Sequence, residues 1–231
     1  MALDTFKVTE RKAAILDLKK EKGIDGQKAA VVLCLDYSGS MSGLYANGSV
    51  QDTVERILPL GLAFDDNNEV DFYIFENGVT KLPENITLKN LDNYINNKVM
   101  NKYSMGGTEY APAINRIVKD FSKSGMFGSK AIDYPVYVIF ITDGDNSDHR
   151  EAEEAIRNAS KHGVFFQFVG IGNTQFDFLA KLDNLSGRQL DNANFFKIPD
   201  LRSCDDKHLY NLLMTEFPGW IPQARKAGQI K

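Results

Sequence analysis

Short apolar runs alternate with stretches of helical apolar spacing along most of the chain. The first run, "KAAVVLCL" at 28–35, is apolar on both faces, as a central strand of a parallel sheet is. "SVQDTVERILPLGLAF" then puts Val50, Val54, Ile57 and Leu58 on one helical stripe, with Pro59 expected to bend or end the helix. "EVDFYIF" reads as a strand, the more polar "GVTKL" as an edge strand, and "LDNYINNKVM" as a short helix. "EYAPAINRIVKDF" predicts a helix with Pro112 in its first turn, where a missing N–H costs nothing.

"YPVYVIFITDG" is the most hydrophobic strand of the chain. It is followed by "HREAEEAIRNASKHG", a charged solvent-facing helix closed by Gly163, and by a buried strand in "VFFQFVGIG". A helix in "FDFLAKLDNLSG", a last strand in "NFFKIP" and an amphipathic helix in "DKHLYNLLMTEF" complete the pattern, and a polar tail follows "PGW". Strands separated by helices imply right-handed crossovers. The expected fold is α/β: a doubly wound, parallel sheet flanked by helices. Residues 1–27 read as an N-terminal helical extension and 28–231 as the domain proper, with its C-terminal helix.

Composition narrows the function classes. The 231 residues are 43% hydrophobic and 25% charged, ordinary values for a globular chain. A formal charge of −4 with scattered Lys and Arg argues against nucleic acid as a partner. The N-terminus mixes acids and bases with no secretory apolar core, and no apolar run is long enough to span a bilayer. Cys34 and Cys204 make no disulfide framework, so a cytoplasmic setting is expected.

Candidate chemistry lies where apolar strands stop. In an open parallel sheet, ligands bind beyond the carboxyl ends of the strands, where strand order reverses. Asp36 ends "VVLCLD" and Asp143 ends "VYVIFITD", so both carboxylates fall at one sheet edge. Asp36 opens "DYSGS", which adds Ser38 and Ser40; "SMGGTEYAP" adds Thr108 after two glycines that permit close backbone approach. Taken singly, each motif is an ordinary turn or helix cap. Taken together, three segments deliver five hard oxygens and no histidine or thiolate, which suits a hard divalent cation, Mg²⁺ first and Ca²⁺ or Mn²⁺ next.

"DYSGS", then "GGT", then "TDG" resembles the metal-ion-dependent adhesion site of von Willebrand factor A domains. Matched by position, Asp36, Ser38 and Ser40 fall on that family's D-x-S-x-S element, Thr108 on its threonine and Asp143 on its later aspartate. The similarity runs from about Lys28 to Trp220, and the stretches "FVGIG", "LDNLSGR", "DNANFF" and "EFPGW" resemble the A domains of bacterial tellurium-resistance and stress-response (TerF-like) proteins. The resemblance implies a Rossmann-like fold whose mostly parallel sheet has one antiparallel edge strand, in agreement with the edge placement of "GVTKL", and a Mg²⁺ with one coordination position left for an acidic side chain of a partner protein. It also implies a place in a complex with other tellurium-resistance proteins.

Other readings compete. A strand ending in aspartate also opens haloacid-dehalogenase-type phosphoesterases, in which Asp36 would attack phosphorus with Mg²⁺. Those enzymes resemble one another in a second aspartate two residues on, and this chain has Ser38 there, which leaves no carboxylate to protonate a leaving group. The expectation is a binding module rather than an enzyme. Asp143, Asp145, Ser147 and Glu154 have the spacing of a calcium loop, but Asp148 occupies its glycine position, so Asp145 and Asp148 read as solvated loop acids. His149, His162 and His208 read as surface residues. Phe165, Phe166, Phe168, Phe176 and Phe178 read as core, since no basic groove accompanies them.

Overall fold

The computed structural model describes residues 5–64, 68–125 and 128–231. Strand β1 (Ala30–Asp36) is buried along nearly its whole length because neighbours cover both edges and helices cover both faces. On one side it pairs in parallel with β2 (Glu69–Phe75), which in turn carries two antiparallel partners, β3 (Val79–Lys81) and β4 (Ile86–Thr87). The sequence pointed to one antiparallel edge strand; β4, only two residues long, is the second.

A two-stranded hairpin, β5 (Lys123–Gly125) and β6 (Gly128–Lys130), stands apart from the main sheet. On its other side β1 pairs in parallel with β7 (Val136–Thr142), followed by β8 (Val164–Ile171) and β9 (Ala193–Ile198). The sheet order β3-β2-β1-β7-β8-β9 therefore reverses at the β1–β7 pair, with Leu35 beside Ile141 and the ends of both strands at the same edge. That is the crevice where open α/β sheets bind ligands.

The aromatic residues of "VFFQFVGIG" are fully buried, as their apolar context requires. Phe165 packs on Phe217 and Trp220, and Phe168 on Phe140. Gln167 is the polar exception inside β8. Its amide donates to the Asn194 carbonyl at 3.1 Å and accepts from Asn194 Nδ2 at 3.0 Å, so the buried pair is satisfied.

Helix α1 (Thr5–Glu21) packs across α3 (Ser49–Phe64), the long helix that follows a short one, α2 (Ser42–Ala46). Pro59 does not end α3; the helix runs on to Phe64. Proline removes the N–H that would have bonded the Glu55 carbonyl one turn back, and the Arg11 guanidinium of α1 donates to that carbonyl instead, at 3.3 Å. Two residues beyond Pro59, Gly61 lets the helix press on the sheet, since a Cβ there would lie 2.3 Å from Val70 Cγ2. Arg11 and Arg56 also share the Asp206 carboxylate, at 2.8 and 2.7 Å, which joins α1 and α3 to α8 (Asp206–Leu213). Burial opposes ionisation of Asp206, yet these two guanidiniums hold its carboxyl below the usual range. Lys19, buried in the same seam, donates to the carbonyls of Gln27 and Ala63.

The stretch after "PGW" is not a polar tail. Phe217–Lys226 forms helix α9, which buries Phe217, Trp220, Ile221 and Ala224, an i, i+3, i+4, i+7 stripe. Pro218 sits in its first turn, where proline is tolerated. Beyond it Ile230 bridges to Ile132, and the Gln229 side chain accepts from the Gly163 N–H and donates to the Ser160 carbonyl. The remaining helices are α4 (Tyr94–Lys98), α5 (Ala111–Phe121), α6 (His149–Ala159) and α7 (Asp177–Asp183). Among the described residues, no helix is long and apolar enough to cross a membrane, and Cys34 and Cys204 are both free.

Candidate metal centre

Asp36, at the end of β1, is completely buried, which a lone carboxylate tolerates only with partners for its oxygens. Oδ1 accepts the Ser38 N–H at 2.7 Å, a turn that aims the next residues back over the strand end. Oδ2 accepts the hydroxyl of Thr142 from the end of β7 at 2.6 Å, so the two central strands are joined at their tips. Burial pushes the Asp36 carboxyl up to about 6, against the opposing pull of those hydrogen bonds, and Asp143 nearby pushes the same way as burial.

The hydroxyls continue outward from that buried anchor. Ser38 Oγ lies 3.0 Å from Ser40 Oγ, and Ser40 Oγ donates to Asp143 Oδ1 at 2.8 Å. Ser38 is buried, Asp143 half-buried and Ser40 exposed, so this row of oxygens rises from the core to the solvent. Four of the five residues proposed from sequence thus form one connected set.

Thr108 comes from the third segment. Gly106 forms a bridge to Ser38, with the Gly39 N–H donating to the Gly106 carbonyl at 3.1 Å. A Cβ on Gly106 would lie 2.6 Å from Glu76 Oε2 and 3.2 Å from Glu76 Cβ, so glycine lets this loop lie close to the Glu76 side chain without displacing it. The Gly107 N–H is held by Asn77 Oδ1 at 2.8 Å, and the Thr108 carbonyl accepts from the Ser147 N–H at 2.9 Å. Thr108 is therefore tied to the loop that begins at Asp143 as well as to the Ser38 turn. It is not a helix cap: α5 begins later, with Tyr110 at the N-cap position.

Two residues read as solvated loop acids behave differently from each other. Asp145 is exposed and pairs with His149 Nε2 at 2.9 Å. Asp148 turns inward and accepts the N–H groups of Tyr110 and Ala111 at 2.9 and 2.7 Å. The charge of Asp148 is thus spent on a helix end rather than on solvent. His149, although exposed, stacks on Phe178 with ring centroids 4.0 Å apart. Sequence reasoning also missed three supports: Thr142 beneath Asp36, Tyr110, whose hydroxyl donates to the Gly144 carbonyl at 2.7 Å, and Tyr45, which donates to the Asp36 carbonyl at 2.9 Å. The "TDG" string contains Thr142, but nothing in it says that the side chain faces the neighbouring strand.

The donor set can be tested against a cation. Adjacent oxygens on an octahedral Mg²⁺, each about 2.1 Å from the ion, stand about 3.0 Å apart, whereas the longer Ca²⁺ bonds would need about 3.4 Å. The Ser38–Ser40 and Ser40–Asp143 separations of 3.0 and 2.8 Å are those of the hydrogen bonds that join them, and they keep these oxygens close enough to face one small cation. Among the described residues no three His, Cys, Asp or Glu side chains gather as a metal-holding group. The oxygens that come together here are two carboxylates and a row of hydroxyls, chemistry suited to a hard cation.

The chain belongs to the von Willebrand factor A family, with which its doubly wound sheet and switch-point crevice agree. Within it, the model described as the vWA found in the TerF C terminus matches residues 28–230, and the chain belongs to that TerF-like group. The uncharacterized protein YcbR of Bacillus subtilis (strain 168) is 34% identical over 224 residues, 96% of this chain and 89% of that protein. Proximal thread matrix protein 1 of the mussel byssus has a similar fold, with a TM-score of 0.60 at 18% identity over 81% of this chain and 47% of that one. A further structure of the mussel protein, with a zinc-occupied MIDAS motif, gives 0.54 at 19% identity over 86% and 48%. This chain spans about half the length of the mussel protein.

Proposed function

We propose that this chain is a metal-dependent protein-binding module, with Asp36, Ser38, Ser40, Thr108 and Asp143 as an adhesion-type cation site. The observation that carries this reading is the hydrogen-bonded row from Thr142 through Asp36, Ser38 and Ser40 to Asp143, which gathers hard oxygens from two strand ends at the sheet's switch point. The cation would supply two positive charges beside two carboxylates and a position at which an acidic side chain of a partner binds. Ser38 and Ser40 would ligate directly, with Asp36, Asp143 and Thr108 ligating directly or through water.

Each residue's own task follows from its setting. Asp36 is an anchored counter-charge: its two oxygens are fixed by Ser38 and Thr142, so it need not reorganise when a cation arrives. Ser40, the exposed member, faces the direction of a partner's approach. Phosphoester hydrolysis would lack its acid, since the residue two beyond Asp36 is Ser38, whose hydroxyl does not protonate a leaving group as a carboxyl would.

The TerF-like relationship supports a place in a stress or tellurium-resistance complex, and the free cysteines support the cytoplasm as its setting. The test is a calorimetric titration of purified protein with Mg²⁺, Mn²⁺, Ca²⁺ and Zn²⁺, the last being the ion in the mussel protein's motif. One cation per chain is expected, with binding lost in Ser38→Ala/Asp143→Ala. Equal binding by that variant would remove the reading.

A further inference from the structure

We infer that Asp148 is a positioning residue for the cation site, acting through Thr108, an inference that rests on the site proposed above. Asp148 is the residue just before α6, where its side chain could cap its own helix, yet it makes no such bond. Its carboxylate crosses to α5 instead. Oδ1 accepts the Tyr110 N–H at 2.9 Å and the Asn146 side-chain amide at 2.7 Å, and Oδ2 accepts the Ala111 N–H at 2.7 Å. Pro112 follows and has no N–H, so Asp148 serves the first donors of α5, where a negative charge is also favoured by the helix dipole.

The adjoining residue completes a clamp. The Ser147 N–H and hydroxyl both donate to the Thr108 carbonyl, at 2.9 and 3.2 Å. Residues 146–148 therefore grip the run from Thr108 to Ala111 at both ends. At its other end the same loop begins with Asp143, bonded to Ser40, after Thr142, bonded to Asp36. Ser147 on the Thr108 carbonyl and Asp148 on the α5 end together set where the Thr108 arm stands relative to the remaining oxygens, and Asp148 supplies the charge that holds the helix end. On its other side the arm is held by Asn77 Oδ1 on the Gly107 N–H and by the Glu76 carbonyl on the Glu109 N–H, both at 2.8 Å, so Asp148 fixes its helix end.

A carboxamide at position 148 offers one oxygen where the carboxylate offers two. One α5 N–H would then face an NH₂ group, and the charge opposite the helix end would be gone. Asp148→Asn is therefore expected to weaken Mg²⁺ binding about 10- to 100-fold, the usual effect of removing a residue that orients a ligand. Thr108→Ala is expected to weaken it comparably, and the double variant no further than the weaker single, because both changes remove the same arm. Asp148→Glu, which keeps the charge but lengthens the side chain, would recover stability without recovering affinity.

The measurement is Mg²⁺ titration of wild type, Asp148→Asn, Thr108→Ala and their combination, with circular dichroism in EDTA as the check on folding. A purely structural cap would lower the melting temperature in EDTA and leave the affinity unchanged, and that result would overturn the inference. Losses that multiply in the double variant would overturn it too, as would a Thr108→Ala variant that binds like wild type while the other site variants fail. Absence of binding by wild type would instead defeat the cation site itself, and this inference with it. Should Asp148→Asn not fold, Asp148→Glu carries the test: affinity equal to wild type would refute the positioning role.

Discussion

Replacing Asp36 with asparagine is expected to stabilise the cation-free protein at pH 8. Asparagine is close in shape, its carbonyl can still accept the Ser38 N–H, and its amide can meet the Thr142 oxygen. What changes is charge. The folded protein holds the Asp36 proton up to about pH 6, whereas the unfolded chain releases it near 3.8. The folded state therefore binds more protons across that interval, and stability falls as pH rises from about 4 to 6, then levels off. A shift of this size corresponds to about 3 kcal/mol.

Removing the buried charge should return about 2 kcal/mol of that at pH 8, after the exchange of one hydrogen bond. In a chain of this length the melting temperature would rise by roughly 4–8 °C. At pH 4, where the wild-type carboxyl is already protonated, the two proteins should melt together. Saturating Mg²⁺ should raise the wild type alone, by about 2.7 kcal/mol at a hundredfold excess over the dissociation constant. Thermal melts in EDTA and in Mg²⁺ at both pH values check all four points. An Asp36→Asn protein less stable than wild type in EDTA at pH 8 would mean that the carboxylate is structural rather than held for a cation.

The second large effect concerns capture of a partner. A cation with incomplete protein coordination gains from an incoming carboxylate, and without the cation the same surface presents Asp143 to it, a like charge. Capture from a native lysate is therefore expected to be abolished by EDTA and restored by Mg²⁺. Asp36→Ala should lose capture under both conditions while remaining folded. A synthetic peptide from the captured partner should compete, and the same peptide with its key Glu or Asp changed to Gln or Asn should not. Undiminished capture in EDTA would exclude a cation-bridged contact.

The sheet was legible in the sequence because buried parallel strands are apolar on both faces. "EVDFYIF" coincides with β2, and the edge assignment of "GVTKL" follows from its polar character. The candidate oxygens were legible because they sit in short strings at strand ends, and the structure joins Asp36, Ser38, Ser40 and Asp143 there by hydrogen bonds. What escaped were dependencies between distant residues. Pro59 reads as a breaker because nothing near it in sequence shows that Arg11 will take up the vacated Glu55 carbonyl. The apolar stripe of α9 was in the sequence, but Pro218 and Gly219 are turn residues in most contexts.

Asp148 follows the same logic. Its spacing suggests a calcium loop or a solvated acid, and only the packed fold shows that it belongs to a helix starting 37 residues earlier in the chain than itself, at Ala111. Acidic residues close to a candidate metal site need not ligate anything. Asp148 accepts the first N–H groups of α5 instead.

The most direct test is a crystal of the protein soaked with Mn²⁺, with anomalous scattering collected near the manganese edge. A single strong peak about 2.2 Å from Ser38 Oγ and Ser40 Oγ, and within one water of Asp36, Asp143 and Thr108, is the predicted result. A peak elsewhere, or no peak at a concentration that saturates binding in solution, would contradict the assignment of these five oxygens to one cation.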